Sequence, residues 1–109
     1  MNAVPKWRQA LNEFVLELKS TYGARLAGVV LYGSRARGDA EEGSDIDILV
    51  LLHALGDLWQ EMDRVAPFAS RISLQYDVVI SALPADSEEF STGQTPLLMN
   101  ARREGVRVA

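Results

Sequence analysis

Apolar residues recur along this chain in two rhythms, and elements end where the rhythm changes. From Pro5 to Tyr22, the residues Trp7, Leu11, Phe14, Leu18 and Tyr22 return at spacings of three and four. Lys6, Arg8, Glu13, Glu17 and Lys19 fall mostly elsewhere, which is the pattern of an amphipathic helix. Pro5 suits its first turn and Gly23 its stop. Leu26 to Tyr32 is a short apolar run, read as a buried strand. Asp45 to Leu52 is a second strand. There Ile46, Ile48 and Val50 alternate with Asp47, Leu49 and Leu51, so both faces are apolar beyond Asp47. That composition fits a central strand covered on both sides, or covered by helices on one side with a ligand cleft at one end.

The second half is read the same way. Leu55 to Ala66 places Leu55, Leu58, Trp59, Met62, Val65 and Ala66 on one helical face, and Pro67 is expected to end or kink that helix. Phe68 to Ser73 fits either a last turn or a connection. Leu74 to Ala82 is expected to be the third strand, with Asp77 ahead of Val78-Val79-Ile80, and Pro84 is expected to break it. Asp86-Ser87-Glu88-Glu89 has capping-box spacing and predicts a short helix. Thr95-Pro96 opens a last helix as N-cap and first helical residue, with Leu97, Leu98, Ala101 and Met99 assigned inward. Gly105 ends it, and Val106-Arg107-Val108 adds a short edge strand. Arg102 and Arg103 oppose the dipole of the last helix at its C-terminus.

Composition narrows the class. The 109 residues predict one domain over 1–109, and 48% hydrophobic content can build a modest core. A formal net charge of −4 argues against a general nucleic-acid-binding surface, which is normally basic. There is no cysteine, which excludes disulfides, zinc thiolate sites and cysteine nucleophiles. The single His53 excludes a multi-histidine metal site. No signal peptide or membrane span is legible, so a cytoplasmic protein is expected.

The chemistry concentrates between the first two strands. Gly33 lets the backbone turn sharply and leaves space above it. Ser34 stands where backbone N–H groups emerge unpaired at the start of a helical turn, a place that suits phosphate. Its hydroxyl can add a donor. Asp45 and Asp47 lie two apart at a strand start and leave the same face. At about 5 Å and an effective dielectric near 20, two such carboxylates repel by roughly 3 kcal/mol. A divalent cation removes that cost, and hard oxygen ligands suit Mg²⁺ or Mn²⁺. A phosphate cradle beside a carboxylate metal site equips a protein for phosphoryl or nucleotidyl transfer. Each half alone also has an ordinary reading, a Gly-Ser turn or a solvated Asp-x-Asp. Arg35 and Arg37 can neutralise phosphate or simply be solvated. Gly38 to Gly43 is a polar loop whose acids receive no metal role.

The pattern Gly-Ser-x10-Asp-x-Asp is that of the polymerase-beta-type nucleotidyltransferase superfamily. The string GSRARGDAEEGSDIDILV resembles the minimal nucleotidyltransferase (MNT) family of that superfamily. The resemblance runs over nearly the whole chain, including Tyr76-Asp77-Val78-Val79 and Pro96 to Val108. It implies an α/β (α+β) polymerase-beta-like fold, a small mixed sheet with helices packed mainly on one face. It implies Asp45, Asp47 and Asp77 as catalytic metal ligands, with Asp77 the third carboxylate on the next strand and a candidate base. Gly33, Ser34, Arg37 and Ser44 become the nucleotide-binding residues. The expected cofactor is Mg²⁺ (or Mn²⁺) and the substrate ATP. The expected partner is a HEPN-domain RNase toxin, which this chain would neutralise as an antitoxin by moving AMP to a hydroxyl, a tyrosine for preference. Two alternatives stay open: a non-catalytic antitoxin that blocks the HEPN protein by binding, and a nucleotidyltransferase for a small-molecule acceptor. The lack of an added helical acceptor domain in this sequence weighs against the second.

Overall fold

The computed structural model describes residues 3–109. Helix α1 spans Lys6–Tyr22 and strand β1 Leu26–Tyr32, joined by a 3-10 turn at Gly23–Arg25. The short helix α2 (Ser34–Arg37) follows, then β2 (Ile46–Leu52), α3 (Leu58–Tyr76) and β3 (Ile80–Asp86). The chain closes with α4 (Ser87–Thr92), α5 (Pro96–Glu104) and β4 (Val106–Arg107). The sheet order is β3-β2-β1-β4. β1 is antiparallel to both β2 and β4, while β2 and β3 are parallel, so the sheet is mixed.

The alternation along β2 separates two cores. Ile46, Ile48, Val50 and Leu52 point to one face and pack with Leu11, Phe14 and Leu18 of α1 and Val65 and Ile72 of α3. Leu49 and Leu51 point to the other, where Val30, Leu98 and Ala101 meet them and Phe90 packs alongside. The two long helices therefore share one face, and the short α4 and α5 cover part of the other. Asp47 has the parity of Leu49 and Leu51, so it belongs to the face with the smaller cover.

Several caps are as the sequence predicts. Asp86 accepts from the N–H groups of Glu88 and Glu89, Thr95 from that of Leu98, and Gly105 ends α5. Other boundaries move. Leu55 is in a loop, and the third helix starts at Leu58 because Asp57 caps it, accepting from Trp59 N at 3.0 Å. Pro67 lies inside α3 and does not end it. Its missing N–H removes one helical bond, on the order of 3 kcal/mol with the ring clash. Continuation keeps Phe68, Ile72 and Tyr76 on the α1 core, with Phe68 and Phe14 ring centroids 5.4 Å apart. So Phe68–Ser73 and Leu74–Tyr76 are helical, and Leu74 is 84% exposed. Trp59, Leu97 and Met99 also face solvent, contrary to the helical-face assignments.

Pro84 lies within β3 and does not break it. In the β2–β3 register Ile46 pairs with Ile80, and Ile46 N–H donates to Val79 O. Odd-numbered residues of β3 thus bond to β2, and even-numbered ones turn their N–H groups to the outer edge. Pro84 is even-numbered on an edge strand, so no ladder bond is lost.

One buried acid was not foreseen. Glu61 is 3% exposed on the core-facing side of α3. It accepts from Tyr22 Oη at 3.1 Å and pairs with Arg25 at 2.7 Å and Arg64 at 3.4 Å. Burial, then the Glu61 charge, pushes the Tyr22 hydroxyl up to about 12. This cluster ties the C-terminus of α1 to the first half of α3.

Candidate active site

Gly33 is the N-cap of α2, with φ 73° and ψ −157°. That conformation is open essentially to glycine alone. Gly33 O accepts from Ala36 N and Arg37 N, both at 3.1 Å, which closes the single helical turn. Gly38, at φ 85°, ends it. The first N–H groups of the turn, on Ser34 and Arg35, have no intrahelical acceptor. The Ser34 hydroxyl makes no side-chain hydrogen bond among the described residues and stays available.

The glycine has a second requirement. A Cβ on Gly33 would sit 3.2 Å from Asp47 Cγ and closer still to its outer oxygen. The Gly-Ser turn therefore rests directly on the Asp47 carboxylate, which brings the two halves of the motif into contact. Asp47 is half-buried and Asp45 exposed. Burial first, and the Asp45 charge second, raise the Asp47 carboxyl above the usual carboxylate range, while Arg37 opposes them. Tyr32, opposite Asp47 in the β1–β2 register, is raised by burial and by the Asp47 charge. These two carboxylates are the hard-oxygen pair that could hold a divalent cation, and the resistance of Asp47 to ionising shows that the surrounding residues undercompensate its charge.

The arginines divide. Arg37 donates from Nε to Asp39 and from a terminal nitrogen to Glu104 of α5, each at 3.1 Å. That pair holds its guanidinium on the Asp47 side. Arg35 turns toward α1, with its guanidinium carbon 5.0 Å from the Trp7 ring centroid and its Nε buried without a partner. Ser44 is committed to the loop: its hydroxyl accepts from Glu41 N at 2.9 Å and its N–H donates to Glu41 O at 3.0 Å.

Asp77 does not join the pair. It is the C-cap of α3, in the left-handed region at φ 55° and ψ 50°, not a residue at the front of a strand. Among the described residues no three acidic or histidine side chains converge on one point. The expected three-carboxylate set Asp45, Asp47 and Asp77 is therefore a pair here, with Asp77 on the rim of two neighbouring cavities. The physical reason is the helix: α3 runs to Tyr76, so residue 77 must make the turn. Residues that sequence reasoning passed over flank Asp47 instead, Tyr32 on β1 and Ser81 on β3. Tyr32 was findable because it directly precedes Gly33; Ser81 depends on a β2–β3 register that no local signal sets.

The family model described as nucleotidyltransferase domain matches residues 11–91. A Methanocaldococcus jannaschii protein named "Putative protein adenylyltransferase" is 42% identical over 83 residues, covering 76% of this chain and 77% of that protein. A solved Sulfolobus solfataricus structure, described as a "putative nucleotidyltransferase", matches at TM-score 0.68 and 25% identity, over 94% of this chain and 80% of its own. A chain of a toxin–antitoxin structure solved with AMP-PNP matches at TM-score 0.60 over 89% of this chain and 71% of its own; at 20% identity that likeness is one of fold.

Proposed function

This chain belongs to the nucleotidyltransferase domain family, and on that premise we propose that it is the antitoxin of a toxin–antitoxin pair. It transfers AMP from ATP to a tyrosine hydroxyl of a HEPN-domain RNase toxin in the cytoplasm, and so silences it. The observation that carries the chemistry is the seat of Gly33 on the Asp47 carboxylate. A phosphate held at the Gly-Ser turn would lie beside the carboxylate pair. The protein-acceptor reading is supported by the adenylyltransferase name of the M. jannaschii relative and by the toxin–antitoxin fold neighbour.

In this mechanism Asp45 and Asp47 would hold Mg²⁺ or Mn²⁺, which would supply charge neutralisation at the triphosphate. The Ser34 hydroxyl and the backbone N–H groups of Ser34 and Arg35 bind the outer phosphates. Arg37, steadied by Glu104, offers its remaining donors to phosphate. The acceptor oxygen attacks the α-phosphorus, the bond to the departing pyrophosphate breaks, and the hydroxyl proton leaves to a base. Asp77, the C-cap of α3, takes no metal role in this mechanism.

Growth rescue tests this. Asp45→Asn keeps side-chain size and removes a metal-holding charge. We expect a variant that still pulls down the HEPN-domain protein but no longer rescues cells from it. Full rescue by a variant shown to lack transferase activity would leave only steric blocking.

A further inference from the structure

On the far side of α3 from α1, an open cavity of about 700 Å³ runs along the outer edge of β3. Met62, Ala66, Ala69, Leu74, Val79 and Ala82 give it an apolar lining. Leu74 and Val79 are 84% and 54% exposed, an unusual position for branched aliphatic side chains with no partner.

The backbone of this edge is specific. The β2–β3 register turns the N–H and C=O groups of Ile80, Ala82, Pro84 and Asp86 outward. Ile80 N–H is already satisfied by Ser73 Oγ at 3.1 Å, and Pro84 has no N–H. Ala82 N–H makes no hydrogen bond among the described residues beyond the ladder, and the register gives it none within the ladder. One donor at Ala82, with the carbonyls of Ile80 and Ala82 on either side, can accept a short guest strand and no more. The closed ends at Ile80 and Pro84 fix its register.

The groove borders the start of β3, the stretch that pairs with the Asp47 segment of β2. Ser81, which lines it, stands opposite Asp47 in the register. Asp77 and Val78 line both this groove and the smaller cavity that contains Arg35.

We infer that the β3 edge groove receives an extended, apolar segment of the protein acceptor, paired with the backbone at Ala82. The segment places its side chains against Leu74 and Val79 and carries its hydroxyl past Asp77, which lines the same groove. An amphipathic helix would fill the cavity but leave the Ala82 donor unpaired, so the strand is favoured. This inference rests on the protein-acceptor reading above.

The experiment measures docking and transfer separately, using the full chain and the HEPN-domain protein as probe. Ala82→Pro deletes the free donor at an outward position like that of Pro84, and Leu74→Ser alters a side chain that contributes nothing to the core. Each should weaken acceptor binding by about tenfold in calorimetry, which corresponds to about 1.4 kcal/mol. Each should leave Mg-ATP affinity and the melting temperature near wild type. Amide exchange at Ala82 should slow when the acceptor binds. Unchanged acceptor affinity in both variants, or a wild-type chain that does not bind the acceptor, would overturn the inference. Binding that follows these expectations without any transfer would overturn the enzymatic reading alone.

Discussion

Replacing Gly33 with alanine perturbs two things at once, and they can be separated. The first is backbone strain. At φ 73° and ψ −157° a residue with a Cβ costs on the order of 1–3 kcal/mol. The second is collision: the new methyl would lie inside van der Waals contact of the Asp47 carboxylate, and Asp47 is anchored in the central strand. A further 1 kcal/mol or so is a reasonable scale for overpacking at a half-buried site. The sum, roughly 2–4 kcal/mol, should lower the melting temperature by on the order of 10–20 °C for a domain of this size. Circular dichroism melts of Gly33→Ala, Asp47→Ala and the double variant form a cycle. Removing the carboxylate relieves the collision and leaves the strain, so the double variant should be more stable than additivity predicts by about 1 kcal/mol. A Gly33→Ala protein that melts like wild type, or a strictly additive cycle, would refute the contact between turn and carboxylate.

Three further outcomes follow from the same charges and contacts. Asp47 has a folded-state affinity for its proton above the unfolded value, so its ionisation costs stability above the folded pKa, and that cost vanishes as pH falls below the unfolded pKa. Asp47→Asn should therefore raise the apo melting temperature at pH 7, by under about 1 kcal/mol of stability, with the gain shrinking in acid; a destabilised variant at pH 7 would contradict this. Glu61→Ala leaves Tyr22 and Arg25 without their buried acceptor and should cost about 3 kcal/mol by urea denaturation; a loss under 1 kcal/mol would show the cluster to be dispensable. The Tyr22 hydroxyl, pushed up to about 12, contributes stability that is full below pH 10 and lost as pH rises through 12; all three tyrosines are raised, so ultraviolet titration should start late and Tyr22→Phe should remove a step near pH 12.

The local geometry of the candidate site was legible where it depends on neighbours in sequence. Gly33, Ser34 and the Asp45/Asp47 pair follow from one turn and one strand start, and both are local chemistry. β1 and β2 were legible too, because their apolar runs are bounded by glycines and acids. The region from Pro67 to Asp86 was not. An apolar run such as Val78-Val79-Ile80 does not reveal whether the residues before it finish a helix or begin a strand. The core contacts of Phe68, Ile72 and Tyr76 with α1 outweigh the proline, and they come from residues more than fifty positions away in sequence. That extension of α3 moves Asp77 from a strand to a turn, and with it the expected third carboxylate. Pro84 shows the converse: its place is decided by which way the edge strand faces.

Intact-mass analysis of the HEPN-domain protein after incubation with this chain, ATP and Mg²⁺ distinguishes transfer from steric blocking. Mass increments of AMP should appear on the acceptor, mapped to a tyrosine, absent without the cation and absent with Asp45→Asn or Asp47→Asn. An acceptor of unchanged mass whose RNase activity is nevertheless suppressed by wild type and both variants alike would contradict transfer.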